Sequence, residues 1–492
     1  MGISSARTLR MICAIVFLMA LATTSPAQTL TTLYSFTNGT DGADPNGLVQ
    51  GKDGNFYGTT TGGQSAHSTV FQITLGGVLT TLYTFTGGTD GALPAGLVQA
   101  SDGNFYGTTI FGGTGNFGTV FQITPAGSLT TLYSFTGGAD GFYPVAGLVQ
   151  GSDGNFYGTT QFGGTVGYGT VFQITPTGVL TTLYSFTGGT DGSEPDGLVQ
   201  ASDGNFYGTT ASGGTGGPLC IFINGCGTLF QITPAGTLTT LYTFTGGTDG
   251  ALPHVVVQGS DSNFYGTTTY GGGTPAQSGT VFKITPAGTV TTLYSFTGGA
   301  DGGNSIAGLV QGSDGNFYGT TSYGGLFVGN CNSGCGTVFQ ITPTGTLTTL
   351  HSFTGGTDGG NSGSGLVQGS DGNFYGTTQT RFQMTTGYGV VFKLQLRGVS
   401  TRTAAVASNP YIGYGKAEKL SATVLARTGS PRGIVDFNDG LALLGSAHLD
   451  HLGVAHLTIS NLSVGSHSIT ATYLGQNNFL GSTSAAITVR VH

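Results

Sequence analysis

Three short strings recur in the same order seven times along this 492-residue chain. Such a chain has to fold as a tandem array of one supersecondary unit, because each copy alone cannot bury its apolar face. DGNFYGTT, or a one-letter variant, begins at Asp53, Asp102, Asp153, Asp203, Asp261, Asp314 and Asp371, at spacings of 49, 51, 50, 58, 53 and 57 residues. GTVFQIT runs from its first copy at Ser68 to the degenerate GVVFKLQ at Gly389, and LTTLYSF from Leu30 through Val290 to Leu347. Each unit reads as four short strands: GLVQ, NFYGTT, TVFQIT and LTTLYSF. Ser-Asp-Gly joins the first two as a tight hairpin, and Thr-Pro-Ala-Gly joins the last two, Pro fixing φ and Gly closing the turn.

Apolar residues fall on both faces of these strands, as with Leu30, Tyr34 and Phe36 on one side and Leu33 on the other, so neighbouring sheets are expected to cover both. A four-stranded antiparallel sheet packed on both faces and repeated about every 50 residues describes a propeller blade. The chain begins with the fourth strand of a unit, Leu30 to Phe36, and its last unit, Gly365 to Leu396, has only three. The spare strand matches the missing one. The expected fold is therefore all-β: a seven-bladed β-propeller over residues 28–396, its last blade completed by the N-terminal strand.

The strings LYSFTGGTDG, GLVQGSDGNFYGTT and GTVFQITPAG closely resemble the GloVer tandem repeat of secreted bacterial proteins that carry various C-terminal anchors, over residues 29–396. That resemblance implies a secreted bacterial repeat protein and no particular activity. After Leu396 the repeat stops and Gly becomes sparser. Residues 399–492 read as seven short alternating strands, which suggests an immunoglobulin-like sandwich. NLSVGSHSITATYLGQNNFLGSTSAAITV resembles the bacterial Ig-like repeat domain, which implies a spacer or display module.

Composition narrows the field. With 93 Gly, 15 Pro, two Glu and five Lys, the chain lacks the charged residues that helical bundles place on their solvent faces. Residues 1–27, with Arg7 and Arg10, an apolar run from Met11 to Ala22 and Ser25-Pro26-Ala27, read as a signal peptide, and no later stretch is long enough for a membrane helix. The expected location is therefore extracellular or at the cell surface. Cys220 and Cys226 share one loop and Cys331 and Cys335 another; two local disulfides are preferred over one four-thiolate zinc site, because an exported protein meets oxidising conditions. Residues 29–396 carry 17 acids against four bases, a balance of −13, which disfavours nucleic acid as a partner. The chain is expected to be a monomer.

Fourteen of those 17 acids are repeat residues: the seven hairpin Asp and Asp41, Asp90, Asp140, Asp191, Asp249, Asp301 and Asp358 of the GGTDG or GGADG loops. They could form a ring of calcium or sugar ligands. The preferred reading is that each caps its own turn, since a residue present in every unit serves what every unit needs.

A site should break the symmetry. Asp44, Asn46, Glu194, Asp196 and His254, just before the innermost strands, and His67 and Arg381, between the second and third, do so. Glu194, Asp196, Asp44 and His254 are candidates for acid–base chemistry, although units 1 and 4 are expected to lie across the ring from each other. Loop aromatics, chiefly Phe117, Tyr168, Tyr270, Tyr323 and Phe327, are candidates for stacking on sugars or docking a protein. Common enzyme signatures are missing. The preferred function is non-catalytic binding, adhesion or display of a glycan or protein ligand by the propeller loops. The alternatives are an extracellular glycosidase or lyase and a structural envelope component.

Overall fold

The computed structural model describes residues 28–492 except 63–67, 215–219, 221–224, 274–276, 327–330, 332, 380–386, 397–400, 427–428, 441, 476–478 and 480. Every regular element among the described residues is a β-strand. The first unit folds as an antiparallel sheet of Ala43–Gln50, Phe56–Gly62, Thr69–Ile73 and Leu79–Thr84, paired in chain order. Five more units repeat this order, and in the fifth the first strand is split into Ala251–Pro253 and Val257–Gln258. In the last unit Val367–Gln368, Phe374–Thr378 and Val390–Gln395 are joined by the N-terminal strand Thr29–Ser35, with Leu30 opposite Leu394 and Ser35 opposite Val390. Each sheet is open, and none closes on itself as a barrel.

The second and third strands are buried on both faces: Phe56, Tyr57, Val70, Phe71 and Ile73 are at most 1% exposed. The fourth strand departs from the expectation. Leu30, Leu33 and Tyr34 are half-buried and only Phe36 is buried, because this strand has a ladder partner on one edge alone and lies at the rim of its sheet. Gly58 shows why NFYGTT carries its glycine: a Cβ there would stand 2.6 Å from the Phe71 ring of the next strand. The tight Asp-Gly hairpin needs its glycine for a different reason, since Gly54 sits at φ 83°.

Consecutive sheets meet through aromatic pairs. The Tyr57 ring lies 4.0 Å, centroid to centroid, from Phe105 of the second unit. The same contact recurs from each unit to the next, and Tyr375 of the seventh unit meets Phe56 of the first at 4.2 Å. A second seam uses one residue at or shortly before each first strand, held at φ between 50° and 58° in all seven units. In six units its N–H donates to a loop carbonyl of the preceding unit, Glu194 to Tyr168 and Asp44 to Tyr388, for example, and in the second unit the Leu93 N–H donates to the Ser68 hydroxyl.

The C-terminal region forms a two-sheet sandwich. Thr401–Ala407, Glu418–Ala426 and Val454–Ile459 make one sheet; Ile434–Asp439, Ala442–His448, Gly465–Tyr473 and Ile487–Val491 make the body of the other. All seven strands expected from the sequence are present, with short additions at Tyr411–Ile412 and Ser482–Thr483. Leu420, Val435, Phe437, Ile469, Tyr473 and Val489 fill a core of its own.

Deleting residues 29–36 removes Phe36, whose burial is worth about 1.5–3 kcal/mol, and unpairs the edge of Val390–Gln395. A lower thermal midpoint is expected, and an unchanged one would show that the strand contributes nothing. In the fifth unit Ser262 replaces the hairpin glycine at φ 65°. Ser262→Gly should therefore raise stability by about 0.5–1 kcal/mol in denaturant unfolding.

Candidate functional site

The repeated carboxylates are occupied by their own turns. In the first hairpin Asp53 accepts from the Asn55 N–H, the Asn55 amide at 2.8 Å and the Tyr57 hydroxyl at 2.9 Å. In the loop that follows the fourth strand, Asp41 accepts from the Thr37 N–H and hydroxyl, both at 2.7 Å, and from Tyr34 at 3.1 Å. The pattern recurs around the repeats, and in the sixth unit His351 takes the tyrosine's place, 3.0 Å from Asp358. Burial works against ionisation of Asp53, but the Asn55 and Tyr57 hydrogen bonds outweigh it and hold the carboxyl below its usual range. Burial, then the bond to Asp53, pushes the Tyr57 hydroxyl up to about 12. Among the described residues no three His, Cys, Asp or Glu side chains are grouped to hold a metal ion. Each cysteine pair is a disulfide within its own loop, Cys220–Cys226 and Cys331–Cys335.

Three of the four acid–base candidates converge. Glu194, Asp196 and His254 line a cavity of about 450 Å³ with Val145, Gln161 and Ile306. It continues into a second volume, of about 330 Å³, which Asp196, His254 and Ile306 also line. Pro195 and Pro253, beside these residues, pair with the second strands of their sheets, so Asp196 and His254 stand at the first-strand edge of two neighbouring sheets. His254 Nδ1 lies 3.4 Å from Asp196 Oδ2, and Nε2 lies 2.7 Å from the Thr269 hydroxyl. With the proton on Nδ1, the imidazole donates to Asp196 and Nε2 is left to accept from Thr269. Burial raises the Asp196 carboxyl's pKa, yet the hydrogen bond and charge of His254, with the backbone N–H groups of Gly197 and Val255, bring it below the usual range. Gln161 reaches Glu194 at 3.4 Å.

Asp44 does not line this cavity. It opens the first unit's inner strand at φ 52°, its N–H bonded to Tyr388, in the slot that Glu194 fills in the fourth unit. Asn46 serves the seam between units, donating to the Pro94 carbonyl at 2.8 Å and accepting from Gln379 at 3.2 Å. His67, Arg381 and Phe327 lie outside the described residues.

The aromatic candidates divide. Phe117 is half-buried, packed over Gly137 and 5.6 Å from the Phe142 ring, so it belongs to the packing between neighbouring loops and not to an open surface. Tyr168, Tyr270 and Tyr323 are 45%, 48% and 39% exposed. Tyr168 rests against Gly188, whereas Tyr270 and Tyr323 share a cleft of about 160 Å³ with Thr269, Asn304, Ile306 and Ser322. Sequence reasoning missed Thr269, Gln161 and Ser322. The signal was the residue after NFYGTT, which changes from unit to unit as Thr61, Ile110, Gln161, Ala211, Thr269, Ser322 and Gln379 and so marks a position the fold leaves open.

Two tandem stretches, residues 11–222 and 221–429, match the Gloeobacter/Verrucomicrobia repeat, and together they span most of the chain. The chain belongs to the Gloeobacter/Verrucomicrobia repeat family. Residues 403–492 match the bacterial Ig-like domain of group 3, in agreement with the sandwich. A comparison with curated proteins gives no match. Among solved structures, a protein of unknown function from Bacteroides thetaiotaomicron is 12% identical, with TM-score 0.37, covering 76% of this chain and 98% of that one. A polysaccharide lyase, an ulvan lyase, is 8% identical, with TM-score 0.30, covering 94% and 97%. The Escherichia coli adhesin FdeC is 11% identical, with TM-score 0.17, covering 95% and 96%. Likeness at this level carries no argument about the activity of this Gloeobacter/Verrucomicrobia repeat protein.

In two units of the repeat a lysine replaces the glutamine that backs the hairpin Asp: Lys283 stands 3.1 Å from Asp261 and Lys393 stands 2.9 Å from Asp371. Burial opposes ionisation of Asp371, but Lys393, Asn373 and Tyr375 together hold its pKa down to about 2. Because the folded pKa lies below the unfolded one, this stabilisation is complete above about pH 4 and is lost as pH falls towards 2. Lys393→Gln, which restores the residue of five other units, should move the Asp371 carboxyl titration followed by NMR upward; an unmoved titration would show that the ammonium has no part in it.

Proposed function

We propose that this repeat protein is an exported, non-catalytic binding protein whose seven sheets are the blades of a β-propeller and whose Ig-like domain is a spacer. The aromatic contacts that lead from each unit to the next and from the seventh back to the first support the ring. So does the convergence of Val145, Asp196, His254, Ile306 and Gly363, from five successive units, on one cavity. The sequence of residues 1–27 and the paired cysteines support export.

One observation carries the binding role. Among the described residues of the repeats, the exposed aromatic side chains are Tyr168, Tyr270, Tyr323 and Tyr388, and all four lie at the connection between the second and third strands. In an antiparallel sheet those connections sit at one end, so four different units present their tyrosines on one face. Exposed aromatics gathered on one face mark a binding surface. Replacing all four by Ala should abolish binding to glycans, cell wall or protein partners while leaving thermal unfolding within a few degrees of the parent. An interaction profile unchanged by the fourfold variant would refute the binding face.

A second reading, an extracellular glycosidase or lyase, is favoured by the Asp196–His254–Thr269 hydrogen-bond chain beside Glu194. Asp196, held ionised, suits orienting a His base and not donating a proton. Turnover in a polysaccharide screen that disappears with both Glu194→Gln and His254→Ala would establish this reading over the first.

A further inference from the structure

Thirteen tyrosines of the repeats occupy the two consensus positions, and each donates its hydroxyl to an Asp of its own unit, as Tyr265 does to Asp261 at 2.8 Å and Tyr294 to Asp301 at 3.1 Å. Tyr270 and Tyr323 belong to neither position. Their hydroxyls make no hydrogen bond to any described residue, and they line one cleft from neighbouring units, one ending a strand of the fifth unit and the other following the second strand of the sixth. Backbone pairing fixes both: Tyr270 lies opposite Ala251, and Tyr323 exchanges both backbone hydrogen bonds with Gly303.

Asn304 lines the same cleft. Its backbone is satisfied, the N–H by the Ser278 carbonyl at 2.8 Å and the carbonyl by the Ser322 N–H at 3.2 Å. Its side-chain amide, half-buried, has no partner among the described residues. The cleft thus offers two tyrosine rings, the Asn304 amide, which both donates and accepts, the side chains of Ile306 and Asn361, and no charged group among the described residues that line it. Its volume is about 160 Å³ against about 450 Å³ for the neighbouring cavity, which suits a single small ring and not a folded element.

We propose that this cleft is a subsite for one residue of an uncharged saccharide. A pyranose presents a C–H face to an aromatic ring and hydroxyls to an amide, which is the combination these side chains complement. The repeat region's balance of −13, with no Lys or Arg lining the cleft, disfavours uronate or sulfated chains. Rigid aromatic positions limit the entropy lost on binding. Ile306 also lines the neighbouring cavity, and Thr269 bonds to His254 there, so a longer chain continues from the cleft towards Glu194 and Asp196. This inference rests on the binding-face reading above and specifies its ligand.

The test is calorimetric titration of the intact protein with neutral gluco-, xylo- and manno-oligosaccharides of two to six residues, with oligogalacturonate as the charged control. At least one neutral series should bind and tighten with length, and oligogalacturonate should not. Tyr270→Ala and Tyr323→Ala should each weaken binding by about tenfold, and Asn304→Ala by about fivefold. Tyr323→Phe should retain most of it, and Val78→Ala, in the exposed turn between the third and fourth strands of the first unit, should leave it unchanged. Absence of binding by every neutral series, or binding indifferent to Tyr270→Ala and Tyr323→Ala, would overturn the proposal. If a protein or cell-surface interaction is then lost in the Tyr270→Ala and Tyr323→Ala variants, the saccharide assignment alone falls; if no interaction responds to any of the four exposed tyrosines, the binding face falls with it.

Discussion

The contact on which the remaining structure depends is the stacking of each unit's second-strand Tyr on the Phe of the next, with ring centroids 3.9 to 4.2 Å apart at all seven junctions. A single four-stranded sheet of this composition has no core. Its Phe and Tyr side chains are removed from water only when a neighbouring sheet lies against them, and each aromatic pair adds a further about 0.5–1.5 kcal/mol. The glycine after each of these tyrosines follows from the same packing, because it admits the Phe ring of the third strand where a Cβ would collide. Three recurring letters, Phe, Tyr and Gly, therefore carry both the interior of a sheet and its junction with the next.

That economy has a consequence for function. The residues that every unit shares are occupied in holding the unit together: the hairpin and loop Asp cap turns, the consensus Tyr donate to them, and the Gln of the first strand accepts from a hairpin backbone N–H of the preceding unit, as Gln150 does from Ser101 at 2.9 Å. What is left to meet a ligand is the set of departures from the consensus. Of the three acids outside the repeated positions, Glu194 and Asp196 line the same cavity, and His254 lines it with them. The exposed tyrosines, which hold neither consensus position, stand at the connections between the second and third strands.

Much of this was legible in the sequence because it is local. Alternation, turn chemistry and the count of units located the four strands and the spare N-terminal strand, and the position of Asp before Gly indicated a capping role. The half-burial of Leu30, Leu33 and Tyr34 was not legible, since apolar residues on two faces of a segment do not say whether its strand lies inside a sheet or at its rim. Nor was the fate of Phe117, which differs from Tyr168 only by packing over a neighbouring loop, against Phe142.

The sequence by itself determined that the chain is a seven-unit all-β repeat followed by an Ig-like domain, because both periods, two along a strand and about fifty between units, are properties of neighbours in the chain. Only the tertiary structure decided that His254 meets Asp196, 58 residues away, and Thr269, and that Tyr270 faces a cleft with Asn304 and Tyr323 of the following unit. Those meetings depend on the angle and separation at which one sheet packs on the next. That geometry is set by the stacked rings of the junctions, and no single unit contains it.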